Sequence, residues 1–136
     1  RPVEASLAAV LHLPLHAPVY DLLRLRLLND VPAMLEHYVM SVRRFPDLGR
    51  FDLAHRSRYE VMEAEYGVGI RRARQSLEPV TAGEYEADLL GVHPGAPLML
   101  ERRLAYDQDG QPVEHGRDLY RGDRFRFVTE IAPLEV

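Results

Sequence analysis

Residues 17–36 read APVYDLLRLRLLNDVPAMLE, and residues 96–114 read APLMLERRLAYDQDGQPVE. Each stretch holds a strand led by proline, a polar turn, and a second proline-led strand that carries a carboxylate. The two stretches keep nearly the same spacing and differ by one residue around the turn. We predict two related β-hairpin halves that face one another and enclose a space lined by arginines and glutamates. Such a space is typical of a receptor for a small polar ligand.

The composition indicates one globular domain over residues 1–136, of which 46% are hydrophobic. The chain has no cysteine, which excludes disulfides, thiolate nucleophiles and cysteine-ligated metals and fits a reducing compartment. No apolar run reaches the roughly 20 residues that a membrane span needs. The first residues do not resemble a signal peptide. We therefore expect a cytoplasmic protein without a membrane partner.

The charge balance argues against DNA binding by this chain alone. It has 17 basic and 21 acidic residues, a net charge of −4, whereas phosphate neutralisation gives DNA-gripping domains a basic surplus. All the basic residues are arginine. Lysine Schiff-base chemistry is therefore excluded.

Hydrophobic periodicity and turn residues predict an α+β fold, an antiparallel sheet flanked by helices, in the order α-β-β-α-β-α-β-β-β. The predicted elements are a helix over 4–13, strands over 18–28 and 32–41, a helix capped at Ser57 and ended by Gly67, a strand over 70–80, a helix capped at Thr81 and ended by Gly91, strands over 97–107 and 112–120, and a final strand with Phe125, Phe127 and Val128.

Arg24 and Arg26 are the first candidate ligand-binding residues. Their spacing on a strand puts both guanidiniums on one face, about 7 Å apart at the backbone, where two forks can grip a phosphate or a carboxylate. Ser57 and Tyr59 begin a helix whose free N–H groups also favour an anion. Together they predict an oxyanion site. The alternatives are a solvated arginine pair, a capping serine and a half-buried aromatic.

Glu36 and Glu114 occupy matching strands of the two halves and take equivalent faces. Carboxylates beside an anion site suit sugar hydroxyls or an ammonium group. The alternative for either one is an ion pair with an arginine such as Arg103. His37 and His115 follow them directly, point to the opposite face, and are interpreted as structural.

Two carboxylates also allow acid–base catalysis, as in glycosidases. The sequence has no nucleophile elbow, no phosphate loop and no histidine spacing typical of a metal site. We expect no metal, no cofactor and no catalytic residue.

Several motifs in this order resemble the UTRA domain, the effector-binding half of HutC-type regulators in the GntR family of bacterial transcription factors. They are Leu23-Arg24-Leu25-Arg26, Ser57-x-Tyr59 followed by Glu65-Tyr66-Gly67, Ala87-x-Leu89-Leu90-Gly91, and Gly110-Gln111-Pro112-Val113-Glu114 followed by Tyr120-Arg121-Gly122-Asp123-Arg124. The resemblance implies a chorismate lyase-like fold and a homodimer. It also implies an N-terminal winged helix-turn-helix, absent from this chain, through which alone the intact protein would bind operator DNA.

The resemblance further implies roles for seven residues. In family members that sense phosphorylated amino sugars, the matching positions hold the phosphate through Arg24, Arg26, Ser57 and Tyr59 and the sugar through Glu36, Glu114 and Tyr120. A carboxylate such as urocanate would also suit two arginines.

Three functions follow from these residues. The leading hypothesis is a small-molecule sensing and dimerisation domain that controls operator binding allosterically. The second is a chorismate lyase-like enzyme on the same fold, with arginines on the substrate carboxylate and a glutamate in proton transfer. The third is a structural dimerisation module that binds no ligand.

Overall fold

A computed structural model describes residues 1–133, which form one antiparallel sheet with helices on both faces. The elements in chain order are α1 (Ala5–Val10), β1 (Val19–Leu28), β2 (Val31–Ser41), a short 3₁₀ helix (Leu48–Arg50), α2 (Arg58–Tyr66), β3 (Arg72–Thr81), α3 (Glu84–Leu90), β4 (Pro97–Tyr106) and β5 (Pro112–Arg121). The strands lie in the order β1-β2-β5-β4-β3, and each neighbouring pair is antiparallel. The predicted α+β class is confirmed.

The two proline-led stretches form the predicted hairpins, β1–β2 and β4–β5. Their second strands pair with each other, so that Met40 lies opposite Glu114 and Met34 opposite Tyr120. The hairpins therefore lie side by side in one sheet, and the prediction that they face each other across a space is wrong. Joining them edge to edge gives the backbone groups of β2 and β5 partners, which two facing hairpins would leave unpaired.

Helices cover the two faces of the sheet differently. On the α2 face, Val61 and Met62 of α2 pack with Phe45, Tyr38 and Met40. On the opposite face, which we call the α1/α3 face, α3 covers one end of the sheet and α1 covers the other. The α2 face thus has one apolar core, and the α1/α3 face has two, one under each helix.

The predicted alternation of side chains along β1 is confirmed, but the face that carries the leucines is the more solvent-exposed one. Leu23, Leu25 and Leu27 keep 52%, 38% and 56% of their surface exposed on the α1/α3 face. Arg24 and Arg26 share the α2 face with Tyr20 and Leu22, which pack against the core there. The arginine pair therefore lies on the more enclosed side of the strand.

The ends of α2 lie where they were predicted, although the Ser57 side chain makes no capping hydrogen bond, and the start of α3 differs from the prediction. Ser57 is the N-cap of α2, and Gly67 ends that helix in the left-handed conformation with φ 67°. For α3, the N-cap is Gly83, so the capping box predicted at Thr81 is wrong. Thr81 is held in the β3–β4 ladder opposite Pro97, and sheet pairing prevails over the local motif.

The predicted final strand is also wrong. Phe125, Phe127 and Val128 follow β5 as irregular chain. Phe125 and Phe127 each pack edge-on against the ring of Tyr120, with ring centroids 5.0 Å apart. Their alternate spacing serves this aromatic cluster and not a sheet ladder. None of the helices over residues 1–133 combines the length and the apolarity that crossing a membrane requires.

Candidate functional site

A cavity of about 300 Å³ lies on the α2 face between the first hairpin and the segment that leads into α2. Its lining residues are Arg24, Arg26, Tyr38, Leu53, Ala54, His55, Arg56, Ser57 and Arg58. Two cavities of about 280 Å³ lie on the α1/α3 face, but acidic and basic residues are mixed in their walls. The lining of the cavity on the α2 face holds four arginines and no acidic residue, which makes it the candidate anion site.

Arg24 forms one wall of the cavity and holds another in place. Its Nη1 donates to the Leu53 carbonyl at 3.1 Å and its Nη2 to the Ala54 carbonyl at 3.2 Å. These carbonyls carry no formal charge, and no carboxylate of residues 1–133 forms an ion pair with Arg24. Arg26 differs, because its Nη1 donates to Glu36 Oε1 at 3.0 Å.

Ser57 brings a hydroxyl to the same cavity. It is the N-cap of α2, yet its side chain makes no capping hydrogen bond. The hydroxyl can therefore donate to a ligand without giving up a bond to the helix. The alternative interpretation of Ser57 as a purely capping residue does not fit this geometry.

Glu114 is fully buried at the centre of a charged network next to the cavity. Arg58 donates to both of its carboxylate oxygens, through Nε to Oε2 and through Nη2 to Oε1 at 3.1 Å. Arg103 Nη2 and the Tyr59 hydroxyl both donate to Oε1, at 3.2 and 3.1 Å. Glu114 thus bonds two guanidiniums, and the ion-pair alternative with Arg103 holds for this glutamate.

Arg58 connects this network to the cavity. It lines the cavity and stacks on the rings of Tyr38 and Tyr59, with its Cζ 4.2 and 5.0 Å from their centroids. Burial alone would lower the pKa of Arg58, but Glu114 outweighs burial and raises it. Burial and the charge of Glu114 also raise the pKa of Tyr59, so both groups keep their protons at neutral pH.

A row of buried carboxylates continues across the sheet from Glu36. Glu36 lies opposite Asp118, and Asp118 lies opposite Glu101. Arg103 Nη1 reaches Glu101 Oε1 at 2.8 Å and Asp118 Oδ2 at 3.6 Å. Within the described residues, Glu36 Oε2 is buried and has no hydrogen-bond partner. The three carboxylates of the row thus outnumber Arg26 and Arg103, the two arginines that contact them.

The titration of Asp118 gives a test of this row. Burial raises the pKa of Asp118 to about 6, and the neighbouring Glu101 and Glu36 add to the rise. The folded protein binds this proton more tightly than the unfolded chain, whose aspartate pKa is about 3.9. The resulting stability is present below about pH 4 and is lost as the pH rises to about 6.

We therefore expect Asp118→Asn to raise the free energy of unfolding at pH 7 by about 2–3 kcal/mol and to change it little at pH 4. The asparagine side chain can still accept the hydrogen bond that the His37 N–H donates to Asp118 Oδ1. Urea unfolding of both proteins at the two pH values measures the difference. An equal difference at both would contradict the raised pKa.

The structure groups the seven predicted residues unequally. Arg24, Arg26 and Ser57 line one cavity, while Tyr59 and Glu114 are bonded to each other behind Arg58. Glu36 is joined to Arg26. Tyr120 lies farther along the sheet, where its hydroxyl donates to Glu101 Oε2 at 3.0 Å, and the length of β5 between Glu114 and Tyr120 is roughly 20 Å. Tyr120 lies in the cross-strand row of Arg26, on the other side of Met34, whereas Glu114 lies opposite Met40 at the other end of β5.

Sequence reasoning missed Arg58, Glu101 and Asp118. Arg58 was the unassigned position between Ser57 and Tyr59, and no local pattern marks its contact with a glutamate on β5. In the observed register, the side chains of Glu101 and Asp118 lie on the same face of the sheet as Glu36. The sequence could have predicted this face if the pairing of β2 with β5 had been known.

The chain matches known proteins along most of its length. The UTRA domain family model matches residues 1–126. The chain is 38% identical over 125 residues to the HTH-type transcriptional repressor NagR of Bacillus subtilis, covering 90% of this chain and 50% of the repressor. It is 33% identical over 126 residues to the HTH-type transcriptional repressor PhnF of Mycolicibacterium smegmatis, covering 93% and 51%. It thus spans about half the length of these two repressors.

Solved structures agree with this fold. The effector domain of PhnF from Mycobacterium smegmatis superposes with a TM-score of 0.91 at 30% identity, covering 98% of this chain and 82% of that one. The structure of PhnF from the same organism superposes with a TM-score of 0.90, covering 97% and 58%.

Proposed function

This chain belongs to the UTRA domain family, and from that premise we propose that it binds a small anionic effector for a GntR-type transcriptional regulator. We further propose that the effector is a phosphorylated sugar that carries an amino group. Because the relatives are transcriptional repressors with this domain, the chain is not an enzyme.

The observation that carries the proposal is the arginine-lined cavity on the α2 face. A phosphate there would meet the guanidiniums of Arg24 and Arg26 and the hydroxyl of Ser57, all of which line one space. Guanidiniums bind phosphate oxygens in pairs through charge-assisted hydrogen bonds. The free N–H groups at the start of α2 add a partial positive charge on the same side.

The row of buried carboxylates supports the proposal that the effector carries an amino group. Glu36 leaves one buried oxygen without a partner among the described residues, and Asp118 and Glu101 continue the negative charge beyond it. An ammonium group or sugar hydroxyls would give these acceptors donors. A ligand with a phosphate at one end and an ammonium at the other matches the order of charges along the face.

Regulation would follow from a shift between two arrangements of the regulator. Arg58 lines the cavity and also bonds the buried Glu114 on β5. An anion that bonds Arg58 in the cavity would therefore change a contact between α2 and the sheet. Such a differential contact is what a ligand needs to favour one state. We propose that the intact protein is a cytoplasmic homodimer and that this shift repositions N-terminal modules on operator DNA.

Calorimetric titration with a matched ligand set tests the proposal. We expect saturable binding of glucosamine 6-phosphate, about tenfold weaker binding of glucose 6-phosphate because it lacks the ammonium, and no measurable binding of glucosamine because it lacks the phosphate. Urocanate is included as an anion without phosphate. If urocanate alone bound saturably, the effector would be a carboxylate and not a sugar phosphate. If none of the anions bound, the proposal that this chain binds an effector would be overturned.

A further inference from the structure

A trough crosses the middle of the α1/α3 face, between α1 and α3. Its floor is a cross-strand row in which each residue lies opposite the next, in the order Leu23, His37, Arg117 and Arg102. The two cavities of about 280 Å³ on this face open over that row, one beside α3 and the other beside α1. Both are lined by His37 and Arg117, so they adjoin each other and form the single trough.

The α3 side of the trough is largely apolar. Leu35 and Leu119 are buried at its base, whereas Leu23 keeps 52% and Tyr85 keeps 63% of its surface exposed. Large apolar side chains that border a cavity and remain this exposed have surface left to bury against a ligand. This side of the trough therefore suits an apolar body.

Positive charge gathers where the two cavities meet. Arg117 lies opposite Arg102 on one side and opposite His37 on the other. Of the Arg102 guanidinium, only Nε donates to a carboxylate, that of Glu78, in an exposed pair at 3.2 Å. Like charges directly opposite each other destabilise an antiparallel pair, and an anion between the two arginines would offset that cost. The same charge acts on the half-buried His115 beside α1, because burial lowers its pKa and Arg102 lowers it further.

The acidic residues on the α3 side of the trough are directed away from Arg117. Asp21 is bonded to Arg1 and to His37, and the Glu86 carboxylate folds back over the start of α3. The Arg117 guanidinium is exposed, and among residues 1–133 it makes no ion pair and no side-chain hydrogen bond. It is therefore available to an anion that enters the trough.

We propose that the trough is a second small-molecule site, which binds a carboxylate that carries an apolar body. The carboxylate lies between the guanidiniums of Arg117 and Arg102, whose geometry matches its two oxygens. The body extends over Leu23 and Leu119 toward the ring of Tyr85. A sugar phosphate has no apolar body to cover these leucines, so the trough selects a different class of compound from the cavity on the α2 face. This site does not depend on what the cavity on the α2 face binds.

Amide NMR titration with a matched ligand set tests the site. Octanoate has both an anion and an apolar body, octanol lacks the charge, and acetate lacks the body. We expect saturable octanoate shifts at the amides of His37, Arg117 and Leu119, about tenfold weaker binding of octanol, and no saturable shift with acetate. Octanoate shifts centred on Arg24 and Ser57 would mean capture by the cavity on the α2 face and would overturn the second site. The absence of saturation would overturn it as well.

Two exposed residues of the trough allow its two parts to be tested separately. We expect Arg117→Gln to weaken octanoate binding about tenfold and Leu23→Ser to weaken it about fivefold. Arg74→Gln is the matched control, because Arg74 is exposed on the same face but lines neither cavity, and it should change the affinity less than twofold. Equal weakening by Arg117→Gln and Arg74→Gln would overturn Arg117 as the anchor of the carboxylate, and unchanged binding in Leu23→Ser would overturn the position of the apolar body.

Discussion

Glu114→Ala is expected to lower the free energy of unfolding by about 3–5 kcal/mol, because it removes the carboxylate that pairs with the largely buried Arg58 and one of the carboxylates that pair with Arg103. Arg58 and Arg103 both bond the Glu114 carboxylate, and only 20% and 17% of their side-chain surface is exposed. Neither guanidinium can lose its proton to escape the cost, because arginine stays protonated in proteins. Urea unfolding followed by circular dichroism measures the loss.

Two further variants define what the loss means. Glu114→Gln keeps the shape and an acceptor for the Tyr59 hydroxyl but removes the charge. It should therefore lower the free energy of unfolding, but by less than Glu114→Ala does. Glu78→Ala breaks an exposed pair with Arg102 and should cost less than about 1 kcal/mol. If Glu114→Ala cost no more than Glu78→Ala, the buried network would not stabilise the fold.

The faces of the strands were predictable because side-chain alternation is a local property. It placed Arg24 and Arg26 on one side of β1, and the register confirms that Arg24 lies opposite Glu36. Which face becomes enclosed was not predictable in this way. Leu23 and Leu25 are the more apolar set, yet Arg24 lies under the segment at residues 53–58 because Tyr20 and Leu22 share its face and join the core.

The failed predictions each come from long-range contacts. The contact between β2 and β5 joins segments far apart in the chain, and it turned two facing hairpins into one sheet. Pairing with Pro97 kept Thr81 in β3, although the sequence after it matches a capping box. Phe125 and Phe127 pack against Tyr120 and do not form the strand that their spacing predicts. Local patterns are outweighed where such partners exist.

The same limit applies to the site. The residue types that bind an oxyanion were visible in the sequence, since arginine pairs and helix-capping hydroxyls have local spacing. The partners that restrain them were not, because Arg58 meets Glu114 and Arg26 meets Glu36 only after the sheet has formed. The structure thereby separates Arg24, which bonds neutral carbonyls, from Arg26, which a carboxylate already neutralises.

That difference makes Arg24→Ala the most damaging single change expected for effector binding. The variant removes a guanidinium that pairs with no carboxylate in the described part of the chain, and it removes the bonds to the Leu53 and Ala54 carbonyls that hold the opposite wall. Two charge-assisted hydrogen bonds of about 1.5–3 kcal/mol each predict roughly a 100-fold loss of affinity or more for glucosamine 6-phosphate. Calorimetric titration gives the dissociation constants.

Two companion variants separate the effect of the guanidinium geometry of Arg24 from the effect of its charge. Arg24→Lys keeps the charge but loses the planar fork that can bond two carbonyls and a phosphate at once, so most of the loss should remain. Arg117→Ala removes the same charge on the α1/α3 face, where Arg117 lines other cavities, and should leave affinity within about twofold because surface charges at that distance are screened. If Arg24→Ala and Arg117→Ala weakened binding equally, net charge would explain the effect and the phosphate would not sit at Arg24. A large loss in Arg24→Ala and Arg24→Lys, with none in Arg117→Ala, would place the ligand's anionic group against the wall formed by β1 and residues 53–54.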